Sequence, residues 1–401
     1  MTTSPAHTSY DVVIVGGAIY GSSIAWFLSG HADFQGRILV VERDPTYEFA
    51  STSHTNSCMR QQFTAAINVQ ISQFAADFVK NMQGYYGGDD RVPNLPIQSY
   101  GYMYLAEDDA FAANLAEAQG IQASLGAGTQ HMTAAQIKDA YPFYNMDDIV
   151  AGNHNLIDEG YFDGGTMFDW WKKSARERGV EYLSGEVASM TLNAAGSSVD
   201  SVTLANGDVI SCGTVVNASG PRAKLTAAMA GIDLPVEPRK RYTFIFDAAE
   251  PLDRDLPLTI DPSGVHMRSD GRYYLAGCPP DDDGPVDYDD FAADHAIWEQ
   301  KVWPVLAHRV PAFETIKLTN MWVGHYAYNA FDQNAIVGAH SKVANFVFSN
   351  GFSGHGLQQS PAIGRGVAEL IATGAYQTLD LSPFGYDRIE RGEKFVEKAV
   401  I

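Results

Sequence analysis

After Asp11 the chain runs Val12-Val13-Ile14-Val15 and then meets Gly16 and Gly17. A short apolar run without alternation, closed by glycines, predicts a strand buried on both faces, as in a parallel sheet. A helix is predicted from about Gly21, with Gly30 as its stop. RILVVER at 37–43 repeats the buried-strand pattern and includes Glu42 at its end. In INVQISQFAADFVKNM at 67–82 the period lengthens, and Ile67, Ile71, Phe74, Phe78 and Met82 share one helical face. A further helix around 165–178 precedes the strand-like GVEYLSGEV, and SVTLANGDVI alternates about Asn206-Gly207, a hairpin signal. RYTFIFD, GVHMRSDGRYYLAG and NMWVGHYAYN read as strands between 233 and 330. NFVFSNGFSGHG then predicts a strand and a glycine turn. They lead into a helix whose Ile363, Val367, Leu370 and Ile371 lie together and which Gly374 ends.

Strand, glycine turn, helix, strand and acid in that order carry chemistry as well as structure. Gly16, Ala18 and Gly21 occupy the places of a G-x-G-x-x-G pattern. Glu42 stands about 20 residues beyond, where a carboxylate meets an adenosine ribose. The glycines let backbone approach a pyrophosphate, and the helix start offers it free N–H groups. Ala18 adds one methyl, which narrows that approach without blocking it. The expected fold class is α/β, a dinucleotide-binding (Rossmann-like) domain interleaved with a mixed, largely antiparallel-sheet substrate domain. The first takes 10–82, 152–232 and 331–376; the second takes 83–151 and 233–330; 377–401 forms a C-terminal tail. The acidic PPDDDGPVDYDD at 279–290 reads as a solvated surface excursion, followed by a helix with Trp298 and Trp303.

Composition narrows the partners. A formal charge of −21 disfavours nucleic acid or an anionic membrane surface as the main one. No stretch has the ~18 apolar residues of a membrane span, and MTTSPAHTSYD resembles no signal or transit peptide, so a cytoplasmic protein is expected. Cys58, Cys212 and Cys278 are widely spaced, giving neither a disulfide framework nor a metal site.

Four segments, VVIVGGAIYGSS, STSHTNSCMRQQF at 51–63, TVVNASGP at 214–221 and GFSGHGLQQSPAIG at 351–364, resemble flavin-dependent amine and amino-acid oxidoreductases of the D-amino-acid oxidase and sarcosine oxidase type. The nearest in look are an assembly-factor oxidoreductase and the sarcosine-dehydrogenase-like members. The resemblance implies FAD as cofactor. Gly16, Gly17, Gly21, Ser22 and Glu42 would hold its ADP half, with Ala18, Arg43 and Gly220 beside them. Ser51, Thr52, Thr55, Asn56 and Ser57 would line the ribityl and pyrophosphate path, and Val187 would meet the adenine. The turn from Gly351 through Gly354, His355, Gly356 and Leu357 to Gln358 would sit against the flavin ring. The family's covalent-attachment cysteine is matched by Gly324, which implies non-covalent FAD, although His54 and His325 leave a histidyl link open. The lysine of its oxygen-reactive members is matched by Leu275, which favours a dehydrogenase over an oxidase. Its second carboxylate-binding residue, a lysine, is matched by Gln358.

The chemistry implied is oxidation of the C–N bond of an amino acid or N-alkyl amino acid by hydride transfer to flavin, with hydrolysis of the imine. The electron acceptor is oxygen, a quinone or an electron-transfer protein. Arg60 is the candidate carboxylate anchor, since a guanidinium fork suits a bidentate acid group; equally, it contacts FAD or an internal acid. His355 orients the flavin, takes a substrate proton, or ties down a glycine turn. Tyr326 and Tyr328 either wall the substrate cavity or pack as core on one face, and His54 is equally ambiguous. Oxidation of a 2-hydroxy acid, and an assembly or scaffold protein that keeps FAD as a structural element, stay open. GFSGH lacks the last glycine of a nucleophile elbow, and the Asn217-Ala-Ser sequon falls in a predicted strand.

Overall fold

The computed structural model describes residues 1–398. Its framework is two eight-stranded sheets. In the first, Ser9–Val15 lies at the centre, parallel to Ile38–Glu42 on one side and to Val209–Asn217 on the other. Glu181–Ser184 and Phe346–Asn350 extend the parallel set outward. Val199–Leu204 and Val209–Asn217 pair antiparallel around the Asn206-Gly207 turn, as the alternation there predicts.

Helices cover one face of this sheet. Ile19–Ser29, Ala66–Lys80, Gly164–Glu177 and Gly356–Thr373 share a core containing Ile24, Phe78, Trp171 and Ile363. Fully burying each large apolar side chain there contributes about 1.5–3 kcal/mol. Gly364 lets two of these helices approach, since a Cβ on it would lie 1.9 Å from Ser23 Oγ. The first helix starts at Ile19, two residues before the predicted Gly21, and Gly30 caps it. Gly374, at φ +81°, ends the last.

The second sheet is mixed and largely antiparallel, with Leu258–Ile260 and Tyr102–Ala106 as its parallel pair. One face carries Tyr242, Phe244, Phe246, Met267, Ala276 and Cys278 into a separate core with Trp298 and Phe313. The other carries Thr243, Gly277 and His266, neighbours across three strands, toward the first sheet's strand ends.

One expectation needs correction. The boundary placed at 151/152 cuts the strand Ala151–Asn155, which pairs with Tyr102–Ala106 and Gln130–Thr133 in the second sheet. Its sequence, Ala-Gly-Asn-His-Asn, is buried throughout but polar, so it gave no strand signal. The acidic segment at 279–290 is the exposed surface excursion expected, with no buried residue, and ion pairs to Arg222, Lys240, Arg241 and Lys301 tie it down. Residues 377–398 fold back onto the molecule. Within them Arg388 pairs with buried Asp332, and buried Glu397 accepts hydrogen bonds from Thr64, Ala65 and Asn68. Residues 399–401 of the expected tail lie outside the described residues. Among the described residues no helix is long and apolar enough to cross a membrane.

Candidate functional site

A cavity of about 340 Å³ runs along the strand ends between the sheets. Its far end is built by the first glycine turn. Gly16 has φ +97°, and a Cβ there would come within 2.5 Å of the Ala218 carbonyl oxygen, so backbone meets backbone only because this residue is glycine. Gly21 is equally constrained, its absent Cβ falling 1.9 Å from the Gly16 oxygen. Ala18 caps the following helix with no side-chain hydrogen bond, which leaves that N-terminus open to an anion; Ile19 N–H reaches only Thr52 Oγ1, at 3.3 Å. Glu42 accepts from Gly17 N–H (2.7 Å) and Asp44 N–H (2.8 Å), and burial outweighs both in pushing its pKa up. A glycine cradle, an open helix start and a buried carboxylate fit the ADP half of a dinucleotide.

The near end is built by the turn after Phe346–Asn350. Gly351, Ser353 and Gly354 all have positive φ, of 70°, 49° and 96°. At Ser353, a non-glycine residue, this conformation costs about 1–2 kcal/mol. Hydrogen bonds from Asn329 N–H to Ser353 Oγ and from Ser353 N–H to the Ala327 carbonyl hold it. The turn aims the uncapped start of Gly356–Thr373 at the cavity. Tyr326 packs on Gly354 so closely that a Cβ there would lie 2.4 Å from its ring.

Arg60 enters from the two-stranded ribbon Cys58–Met59 with Gly160–Tyr161. Its side chain is buried, with Cζ 4.0 Å from the centre of the Phe63 ring. The guanidinium donates to the Gln62 carbonyl and, at 3.0 Å, to His355 Nε2. An arginine can only donate, so this contact makes His355 Nε2 the acceptor and puts the imidazole proton on Nδ1. Gln358 Oε1 accepts Arg60 N–H at 2.6 Å, so this amide positions the arginine's backbone. Glu159 lies behind, fully buried, accepting from Gln61 N–H, Gln62 Nε2 and Asn155 Nδ2. Burial pushes its pKa up to about 7 against those donors and the charge of Arg60.

The cavity wall brings together most of the residues that the sequence marks. Gly16, Ala18, Glu42, Arg43, Ser51, Thr52, Thr55, Asn56, Ser57, Val187 and Gly220 line it with His54, Arg60, Tyr326, Gly354, His355, Gly356, Leu357 and Gln358. Gly17, Gly21, Ser22 and Gly351 stand behind the wall and shape it; buried Ser22 Oγ donates to the Gly17 carbonyl. Tyr328 is absent from the wall, being buried with its ring 3.7 Å from Arg239 Cζ. Gly324 faces His54, and a Cβ on it would sit 2.7 Å from that residue's Cβ. Arg241, Thr243 and His266 line the sheet side and were not singled out. The signal existed: in Arg241-Tyr242-Thr243-Phe244 polar and aromatic residues alternate, and the period of two gives the strand one polar face there.

The acidic segment borders the cavity, which Tyr288 and the following Phe291 line. Asp283 takes both terminal nitrogens of Arg241, at 2.6 and 3.0 Å, and Asp290 pairs with Lys240. Asp289 reaches Arg222 and, at 3.9 Å, Arg43, on the nucleotide side. Phe291 stacks on His325 at 4.1 Å and lies 5.0 Å from Phe49.

Comparison with known proteins agrees with this geometry. The family model described as FAD dependent oxidoreductase (DAO) matches residues 11–370. The FAD-dependent oxidoreductase domain-containing protein 1 of Xenopus laevis is 37% identical, over 98% of this chain and 85% of that protein. The 4-methylaminobutanoate oxidase (formaldehyde-forming) of Paenarthrobacter nicotinovorans is 24% identical, over 92% of this chain and 44% of that protein. Among solved structures, the L-proline dehydrogenase from P. horikoshii superposes with a TM-score of 0.83 at 26% identity, covering 96% of this chain and 99% of that one. With a glycine cradle and a carboxylate at one end of the cavity and a glycine turn with a buried arginine at the other, the chain belongs to the DAO family of FAD-dependent oxidoreductases.

Proposed function

We propose that this protein oxidises the C–N bond of an amino acid or N-alkyl amino acid, the imine product then being hydrolysed. The observation that carries the reading is Arg60, buried at the near end of the cavity and held by His355 at 3.0 Å beside an uncapped helix start. A guanidinium so placed takes a substrate carboxylate as a charge-assisted pair in a low-dielectric setting. Bound FAD supplies the hydride acceptor. The chain supplies position and charge: Arg60 fixes the acid group, and Tyr326, seated on Gly354, shapes the wall. The N-terminus of Gly356–Thr373 offers N–H groups to negative charge that forms beside it. Holding the reacting C–H bond in register carries much of the rate.

The finer features follow the same line. Gly324 offers no side chain for a thioether link, in keeping with non-covalent FAD. Among the described residues that line the cavity there is no lysine, and Leu275, buried in its strand, is the residue that the resemblance matches to the lysine of the oxygen-reactive members. A quinone or an electron-transfer protein is therefore the proposed acceptor. Product analysis tests the reaction: secondary-amine acids should yield a carbonyl compound and a free amine. Turnover of 2-hydroxy acids alone would replace C–N oxidation by alcohol oxidation.

A further inference from the structure

Arg60 lies in residues 60–65, which join the strand Cys58–Met59 to the helix Ala66–Lys80 and belong to neither. Its local partners come from the same stretch, the Gln62 carbonyl and the Phe63 ring. That ring also meets His355 edge to face, with centres 5.1 Å apart. No regular element fixes this stretch, so the seat of the guanidinium depends on what holds the residues that follow it.

Glu397 holds them from 333 positions away. One carboxylate oxygen accepts Thr64 N–H at 2.9 Å and the Thr64 hydroxyl at 2.6 Å. The other accepts Ala65 N–H at 3.1 Å and Asn68 Nδ2 at 3.0 Å. Ala65 is the N-cap of the helix and makes no side-chain cap, so Glu397 supplies negative charge at the positive end of the helix. Asn68 Oδ1 in turn accepts Gln359 Nε2 at 3.1 Å. Gln359 stands in the first turn of Gly356–Thr373, beside the Gln358 that accepts Arg60 N–H. Glu397, Asn68 and Gln359 are each at most 2% exposed, so water does not substitute for these contacts. Two residues before Glu397, Phe395 N–H donates to Asp332 at 3.0 Å. Asp332 accepts Asn329 Nδ2 at 2.7 Å, and Asn329 N–H donates to Oγ of the strained Ser353. Residues 395–397 thereby tie the arginine loop to the Gly351–Gly354 turn.

We infer that Glu397 is a positioning residue for the carboxylate anchor: it sets the loop that carries Arg60 and couples that loop to the helix start at Gly356. Glu397 is absent from the cavity wall and acts through Thr64, Ala65 and Asn68. The inference rests on Arg60 as the group that takes the substrate's carboxylate.

The test uses the FAD-loaded protein and two acid–amide pairs, N-methylalanine with its primary amide and proline with its primary amide, in both stereochemical forms. Half-saturation of anaerobic flavin reduction is measured for each. The unaltered protein should half-saturate with an acid at about a tenfold lower concentration than with its amide. In Glu397→Ala the acid's half-saturation should rise about tenfold, with the amide's and the limiting rates kept within about threefold. Glu397→Gln keeps one acceptor oxygen and should retain part of the preference. Thr64→Val loses one hydrogen bond but keeps the backbone N–H, and should lose about two- to threefold of the preference even if the alanine variant does not fold. Equal weakening of acid and amide would make the contact merely structural and overturn the inference. An unchanged preference in Thr64→Val and in whichever Glu397 variant folds would do the same, and in both cases Arg60 keeps its role. No acid preference in the unaltered protein, or no reduction by any of the four probes, would remove the Arg60 reading and this inference together.

Discussion

Arg60 and Glu159 show what single residues contribute. Arg60→Lys keeps the charge and loses the fork, so kcat/KM for an acid substrate should fall about 10–100-fold, chiefly through KM, with FAD retained. An unchanged KM would separate Arg60 from substrate binding. Glu159 gives a pH dependence whose sign follows from burial. Its folded pKa, pushed up to about 7 by burial, lies above the ordinary glutamate value of 4.5, so between these values the folded chain holds a proton that the unfolded chain has released. Its contribution to stability is best below the lower value and falls as pH rises through the upper one, by about 2–4 kcal/mol. Urea midpoints measured from pH 4.5 to 8 should carry that slope in the unaltered protein, and Glu159→Gln should flatten it. Arg60 was legible in the sequence because it follows a flavin-type motif directly. Its remote neighbours were not: Glu159 comes near it only through the ribbon of Cys58–Met59 with Gly160–Tyr161, and His355 lies 295 positions further on, contacts that local pattern does not encode. Tyr328 shows the reverse failure, since spacing of two along a strand gives a shared face but not whether an arginine covers one member of it.

Elements were legible where period and punctuation agreed. The Asn206-Gly207 hairpin, the helix ending at Gly374 and the strand at 38–42 all follow from local rules. The first helix began early because Ala18, without a capping side chain, does not mark its own position. At this scale Gly21→Val should weaken FAD binding about tenfold to a hundredfold, since any Cβ there meets the Gly16 oxygen at 1.9 Å. Equilibrium titration of apoprotein with FAD measures it. The acidic segment is exposed as its composition implies, but composition reports charge and not partners, and its pairs with Arg43, Arg222 and Arg241 join positions remote from it in the chain. Asp289→Asn should speed FAD release about two- to fivefold, with less dependence on salt, as befits a partly exposed pair. Fluorescence of released FAD reads this directly. Asp281→Asn, which breaks a pair with Lys301 away from the nucleotide side, should leave the rate as it was.

The whole molecule places its chemistry between two sheets that the chain enters and leaves repeatedly. A net charge of −21 coexists with a cavity wall that carries Arg43, Arg60, Arg222 and Arg241 beside Glu42, Asp44 and Glu186, so the cavity holds more basic charge than the molecule as a whole. The α/β class and the cofactor were readable from short motifs spread along the chain. The strand Ala151–Asn155 and the fold-back of Glu397 were not, because each is stabilised by residues remote in sequence rather than by its own pattern. The measurement that bears most directly on the central claim is anaerobic reduction of the bound FAD by N-methyl, cyclic and D-amino acids beside 2-hydroxy acids. Rapid bleaching by an amine class, slowed or right-shifted in Arg60→Lys, is the result expected. Tightly bound FAD that no amine reduces, or that 2-hydroxy acids alone reduce, would contradict it.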